Sequence, residues 1–286
     1  MKIHTINPVN NPVKLQLEIG SSGKITANIK FNREEIGENT EKKSNKAENN
    51  LGNLPDELHS IILNDLDDQE LVKCMRVSKQ FYHTIKECPS LNRKVQDIQS
   101  RAILDSLKED KDDYVRSAVA EACGNIGDNN STRAILQSLQ NDPNWRVRIA
   151  VADACGNIGD NDWTRAILES LQNDTNSHVR IAVAEACGKI GDNDWTRDIL
   201  QNLQNDTEDY VREAVVDACG NIGDKAWTGA ILQRLQNDTD HYVRRAVAKA
   251  CGRIGDKDWT RAILQSLKED KDDLVKITVA EALLKN

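Results

Sequence analysis

The chain has 286 residues, 38% of them hydrophobic and 29% charged, which suits one long domain or two ordinary ones in a soluble protein. No stretch approaches the roughly 20 apolar residues of a membrane span, and the start MKIHTINPVNNPVKLQLEIG lacks the apolar core of a secretory signal, so a cytoplasmic working place is expected. Residues 1–100 carry 14 acidic and 14 basic side chains, so the net charge of -8 falls entirely on 101–286, an acidic surface that disfavours nucleic acid as a partner.

The N-terminal segment, 1–31, contains LQLEIGSSGKITANIKF, in which Leu15, Leu17, Ile19 and then Ile25, Ile29, Phe31 alternate around a Ser-Ser-Gly turn. That pattern predicts a small β-hairpin. Residues 32–53 are polar and poor in large apolar groups, which predicts a flexible linker.

Order resumes at Leu54. Pro55 opens a helix whose apolar stripe is Leu58, Ile62, Leu63 and Leu66. A second helix from about Gln69 carries Leu71 and Val72, and a third carries Val77, Phe81 and Ile85. Such a short piece has too little core to stand alone and exposes apolar surface, as a docking module does. A helical cap on the C-terminal part of the chain is the other reading. The LP start, the apolar stripe and the VSKxF segment occur together and in order, and on these residues 54–91 resembles an F-box. Phe81 stands where tryptophan is frequent in that family. The resemblance implies docking on the Skp-family adaptor of a cullin-RING ubiquitin ligase, with Leu54, Pro55, Leu58, Ile62, Leu63, Leu66, Leu71, Val77 and Phe81 as adaptor-binding residues.

The connector, 92–100, has no glycine or proline. Ser90 can cap a helix, and Val95, Ile98 and Ala102 fall at i, i+3, i+7, so helical order is expected to run directly into the next segment.

From 101 the sequence repeats every 32 residues as approximately RAILQSLQNDxxxxVRxAVAxACGxIGDxxWT, in units 101–132, 133–164, 165–196, 197–228, 229–260 and 261–286. A fixed period of this size predicts a stacked α-solenoid. In each unit a first helix carries Ile167, Leu168 and Leu171 or their equivalents. A second places Val179, Ala182, Val183, Ala186 and Ile190 on its buried side, with Gly191 as its C-terminal cap. Asp192 or Asp194 can cap the following helix, and Asp192 is preferred because its equivalents persist where those of Asp194 become Asn130 and Ala226. Ala184 and Gly188 permit close approach of the adjacent helix. Trp163, Trp195, Trp227 and Trp259 are expected to fill gaps between units. Cys123, Cys155, Cys187, Cys219 and Cys251 recur inside the second helix; stacked helices lie roughly 8–10 Å apart, too far for disulfides, so buried reduced thiols are expected. The chain has no CxxC, which removes support for zinc.

The Val-Arg pair and the Ala-Cys-Gly-x-Ile-Gly-Asp stretch, as in Val179-Arg180 and Ala186–Asp192, resemble HEAT-like repeats of the phycobilisome-lyase type. The resemblance implies a ladder between Asp110, Asp142, Asp174, Asp206, Asp238, Asp270 and Arg116, Arg148, Arg180, Arg212, Arg244, Lys276. It does not imply lyase chemistry, because nothing marks a tetrapyrrole pocket. The His-Glu pairs of HEAT-like di-iron hydroxylases are missing too, since the chain has no His-Glu dipeptide. No metal, cofactor or catalytic residue is expected.

Function is expected where the repeats disagree. At positions equivalent to 114, 117, 121 and 125 the second helices read Tyr-Ser-Glu-Asn, Arg-Ile-Asp-Asn, His-Ile-Glu-Lys, Tyr-Glu-Asp-Asn and Tyr-Arg-Lys-Arg. Stacking makes this a continuous surface, concave in the resembling family, and Tyr114, Trp145, Arg146, Ile149, His178, Ile181, Tyr210, Glu213, Tyr242 and Arg245 are the expected substrate-binding residues. The expected architecture is all-α, a three-helix F-box followed by an α-solenoid of six HEAT-like repeats, with the small N-terminal β-hairpin. The expected role is substrate recruitment to an SCF-type ubiquitin ligase, a protein-binding scaffold without ubiquitin chemistry being the alternative. Near-identical repeats of this kind resemble bacterial proteins whereas the F-box system is eukaryotic, which suggests a bacterial effector working in host cytoplasm.

Overall fold

The computed structural model describes residues 4–6, 13–19, 25–31, 63, 71 and 85–285. The chain divides into two compact units, residues 1–102 and 103–286. In the first, β1 (His4–Ile6), β2 (Val13–Ile19) and β3 (Ile25–Phe31) form an antiparallel sheet in the order β1-β2-β3. The register pairs Leu15 with Ile29, Leu17 with Ala27 and Ile19 with Ile25. Strand β1 adds His4 opposite Leu17; at three residues it is too short to show an alternation in sequence. The Ser-Ser-Gly turn lies outside the described residues. Leu63, Leu71, Ile85 and Leu91 are fully buried. Helix α1 (Pro89–Leu107) starts on a proline, which suits a first helical turn whose N–H groups have no partner. Ser90, expected to cap it, therefore lies inside the helix.

The second unit is a run of helix pairs. First helices of ten residues are α3 (Asn130–Leu139), α5 (Asp162–Leu171), α7 (Asp194–Leu203), α9 (Ala226–Leu235) and α11 (Asp258–Leu267). Second helices are α2 (Asp113–Ile126), α4 (Trp145–Ile158), α6 (Ser177–Ile190), α8 (Asp209–Ile222), α10 (His241–Ile254) and α12 (Asp273–Lys285). The second helices α2, α4, α6, α8 and α10 end on glycine for a conformational reason: Gly191 has φ 97°, a left-handed geometry that side chains resist.

The next helix is not capped by Asp192, as the sequence suggested, but by Asn193, whose side-chain oxygen accepts from Thr196 N at 2.9 Å. The fully buried Thr196 hydroxyl completes the turn by donating to Gly191 O at 2.8 Å and accepting from Asn193 N at 3.3 Å. Asp192 is used elsewhere: it accepts from Trp227 Nε1, one repeat on, at 3.0 Å. The same bond joins Asp128 to Trp163, Asp160 to Trp195 and Asp224 to Trp259.

Successive second helices pack directly on one another, α2 on α4 through α10 on α12. A Cβ added at Gly156 would stand 2.9 Å from Ala186 Cα, and at Gly188 2.9 Å from Ala218 Cα. The backbones are therefore as close as they can be, and only glycine fits. First helices touch one another much less, so the second helices form the tighter layer. The five recurring cysteines sit in this layer as buried free thiols, and burial pushes Cys187 up to about 12. They pack as small apolar groups.

A ladder of ion pairs crosses every joint. Arg180 makes two parallel bonds to Asp206, Nε at 2.6 Å and Nη2 at 2.8 Å, and donates Nη1 to its own unit's Asp174 carbonyl at 2.8 Å. The same arrangement holds Arg116 to Asp142, Arg148 to Asp174, Arg212 to Asp238 and Arg244 to Asp270. Each aspartate also accepts from a backbone N–H two residues on, such as Glu208 N on Asp206. Burial alone would raise Asp142, Asp174, Asp206 and Asp238, but the arginine and backbone hydrogen bonds outweigh it and hold all four below the ordinary carboxylate value.

Replacing Asp206 with Ala leaves the nearly buried Arg180 guanidinium unpaired, and a loss of about 3 kcal/mol in urea unfolding is expected; a loss under about 0.5 kcal/mol would reduce the ladder to a surface decoration. The aspartates also set an acid limit. Their folded pKa values lie below the unfolded value near 3.9, so the unfolded chain binds more protons, and stability present above about pH 4 is lost as pH falls through the folded values. Urea midpoints should fall between about pH 5 and pH 3, and less so in the Asp206→Ala protein.

Candidate partner-binding surface on the second helices

Most second helices begin at a turn capped by a side chain, which fixes their first residues. The carboxylate or amide of Asp112, Asn144, Asn176 and Asp240 accepts from the backbone N–H of Tyr114, Arg146, His178 and Tyr242 at 2.7–2.9 Å. Glu208 precedes α8 without such a bond. Steps of three and then four residues along a helix stay on one face. The rows through 114, 117, 121 and 125 therefore line up across α2, α4, α6, α8 and α10 on the face that the close packing leaves free.

The first row is the most open: Tyr114 is 70% exposed, Tyr210 61% and Tyr242 43%. Arg146, His178 and Arg245 are exposed as well. Trp145, Ile149 and Ile181 are half-buried and rest on the core. The Trp145 ring stacks on His178 with centroids 5.3 Å apart, and the Arg146 guanidinium lies 4.5 Å from the Trp145 centroid. Glu213 is half-buried, and its pKa is raised by burial and by Asp217, with Lys249 opposing. The structure thus brings all ten expected residues onto the second-helix layer.

The rows continue past the last residue expected from the sequence. Leu274 and Ile277 on α12 occupy the next equivalent positions and are 48% and 54% exposed. The period of 32 from Tyr242 and Arg245 was the signal that could have found them.

The recurring tryptophans belong to the interior instead. Trp163 and Trp195 are buried, Trp227 and Trp259 pack against the core, and all four spend their indole N–H on an aspartate of the preceding turn. Among the expected adaptor-binding residues, Leu63 and Leu71 are fully buried. Leu54, Pro55, Leu58, Ile62, Leu66, Val77 and Phe81 lie outside the described residues. Among the described residues no three His, Cys, Asp or Glu side chains are grouped to hold a metal ion, and no helix is long and apolar enough to cross a membrane.

The chain matches the family described as HEAT repeats over residues 100–172, 132–200 and 196–284, and the F-box domain over 51–93. No curated protein matches it. Solved structures with a similar trace include the CpcE–CpcF complex of phycocyanin lyase from Nostoc sp. PCC7120, at 18% identity over 62% of this chain and 74% of that one, TM-score 0.45. An archaeal HEAT-like repeats protein from Thermococcus onnurineus NA1 is 14% identical over 78% and 97% of the two chains, TM-score 0.43. Human deoxyhypusine hydroxylase is 14% identical over 80% and 96%, TM-score 0.33.

The two classes of aromatic residue should separate in mutagenesis. Exchanging Tyr210 and Tyr242 for Ser should change unfolding free energy by less than about 1 kcal/mol, whereas Trp195→Ala should cost about 3 kcal/mol. Equal costs would show that the division between interior and open face is wrong.

Proposed function

The chain belongs to the HEAT-repeat family, and from that premise we propose that it is the substrate-recruiting subunit of an SCF-type cullin-RING ubiquitin ligase. An F-box ahead of HEAT repeats makes it a protein-interaction adaptor. The observation that carries the finer reading is the order of the two modules: a docking domain at 51–93, then a repeat array that displays exposed tyrosines and half-buried isoleucines on its second helices.

In this reading the F-box docks on the Skp-family adaptor and the second-helix face takes the target protein. The chain contributes no catalytic residue. Its contribution is proximity: a target held on the repeats meets the ubiquitin-charged enzyme at an effective concentration that free diffusion does not reach. The working place that goes with it is the cytoplasm.

The test is binding of purified Skp-family adaptor to the full chain. Truncating a central interface anchor costs on the order of 2 kcal/mol, so a Leu54→Ala, Pro55→Ala double variant should weaken adaptor binding by at least about tenfold while its circular dichroism stays that of the parent. Absence of adaptor binding by the parent chain, or undiminished binding by the variant, would overturn the assignment.

A further inference from the structure

The third row of the second-helix face is acidic over four successive helices, Glu121, Asp153, Glu185 and Asp217, and turns basic only at Lys249. The fourth row neutralises two of these. Lys189 reaches Asp153 at 3.3 Å, and Arg253 reaches Asp217 while also donating to Asn221 at 3.0 Å. Glu185 lies between those two pairs, and among the described residues no side chain forms a salt bridge with it. Partial withdrawal from water raises its pKa first, the Asp153 carboxylate adds to the rise, Lys189 opposes it, and Asp217 adds further. Positive charge is therefore in deficit at this point of the surface.

One turn before Glu185 on the same helix is Ile181, and beside it on α4 is Ile149, both half-buried. Trp145 extends this apolar strip at the start of α4. An occupant that satisfies both features carries a cation within one side-chain length of a large apolar group. A long flexible cation such as Lys or Arg can lay its stem along the isoleucines and place its charge on Glu185.

We propose that the face formed by Trp145, Ile149, Ile181, Asp153, Glu185 and Asp217 docks an extended segment of a partner protein in which Lys or Arg alternates with large apolar residues. The proposal deepens the adaptor reading, since it rests on the repeats being the half that takes a protein. It names the chemistry of what they take. Lys189 and Arg253 already offset Asp153 and Asp217, which leaves the Glu185 carboxylate to repel an acidic segment, and like-charge contact is what excludes wrong partners.

The test uses the full chain and two fluorescein-labelled peptide probes, one of Lys, Leu and Gly, the other with Glu in place of each Lys. The Lys probe should bind in an anisotropy titration and weaken as salt is raised. Glu185→Lys should weaken it by at least about tenfold, while Asp198→Lys, the same charge reversal on the first helix α7, should leave it unchanged. Parent-like melting of Glu185→Lys certifies its fold; if it melts early, Glu185→Gln provides the same comparison with a smaller loss. No binding of the Lys probe, tighter binding of the Glu probe, equal effects of the two reversals, or sedimentation showing that the face is covered by a second copy of this chain would each overturn the proposal. Adaptor binding measured on the same samples separates the two readings: retained adaptor binding without probe binding sinks this inference alone, and the converse sinks the ligase reading alone.

Discussion

The contact on which the repeat unit depends is the near collision of successive second helices, where a Cβ on Gly124, Gly156 or Gly188 would come within 2.8–2.9 Å of the Cα of Ala154, Ala186 or Ala218. Ridges with no side chain at the crossing let the backbones meet at minimum distance. That distance sets the pitch of the stack. The first helices, lacking such a contact, stand further apart, and the space between their starting turns is filled by tryptophan rings tethered to Asp128, Asp160, Asp192 and Asp224. The same pitch brings the variable rows of neighbouring helices alongside each other. A surface spanning several repeats exists because two glycine-bearing backbones touch.

Burying arginine beside aspartate gains little net stability over an apolar pair, since both ions must leave water. The gain at these joints is in register. Each guanidinium is fixed by a carboxylate of the following unit and by a carbonyl of its own, and that carboxylate in turn holds the N–H two residues further along its loop. A one-residue slip of a unit would leave several charged groups unpaired at once, at a cost far above the small differences between alternative apolar packings. The glycine contact sets how near the units come, and the ladder sets where along each other they stop.

Much of this was legible because it repeats. The period fixed the number of helix pairs, the alternation of small and branched residues marked the buried side of the second helix, and Gly191 showed its end. What the sequence hid were choices between chemically similar groups a residue or two apart. Asp192 and Asn193 both suit a helix cap; the decision falls to Asn193 because the tryptophan of the next repeat, 35 residues away from Asp192, claims that carboxylate, and a pairing across units has no local signature. For the open face the useful signal was disagreement among units, and it extended further than expected, to Leu274 and Ile277.

Uniform joints and varied faces are two sides of one constraint. A position that meets the same neighbour in every unit converges on one residue, as the glycines, cysteines and ladder arginines do, whereas Tyr114, Arg146, His178, Tyr210 and Tyr242 share a backbone position and nothing that packs on them in common. Side chains displayed on a frame of this stiffness are already placed before a partner arrives, so binding loses little freedom on the repeat side. Stability and recognition can then vary independently: changing a face residue leaves the pitch untouched, and changing a joint residue moves every face residue beyond it.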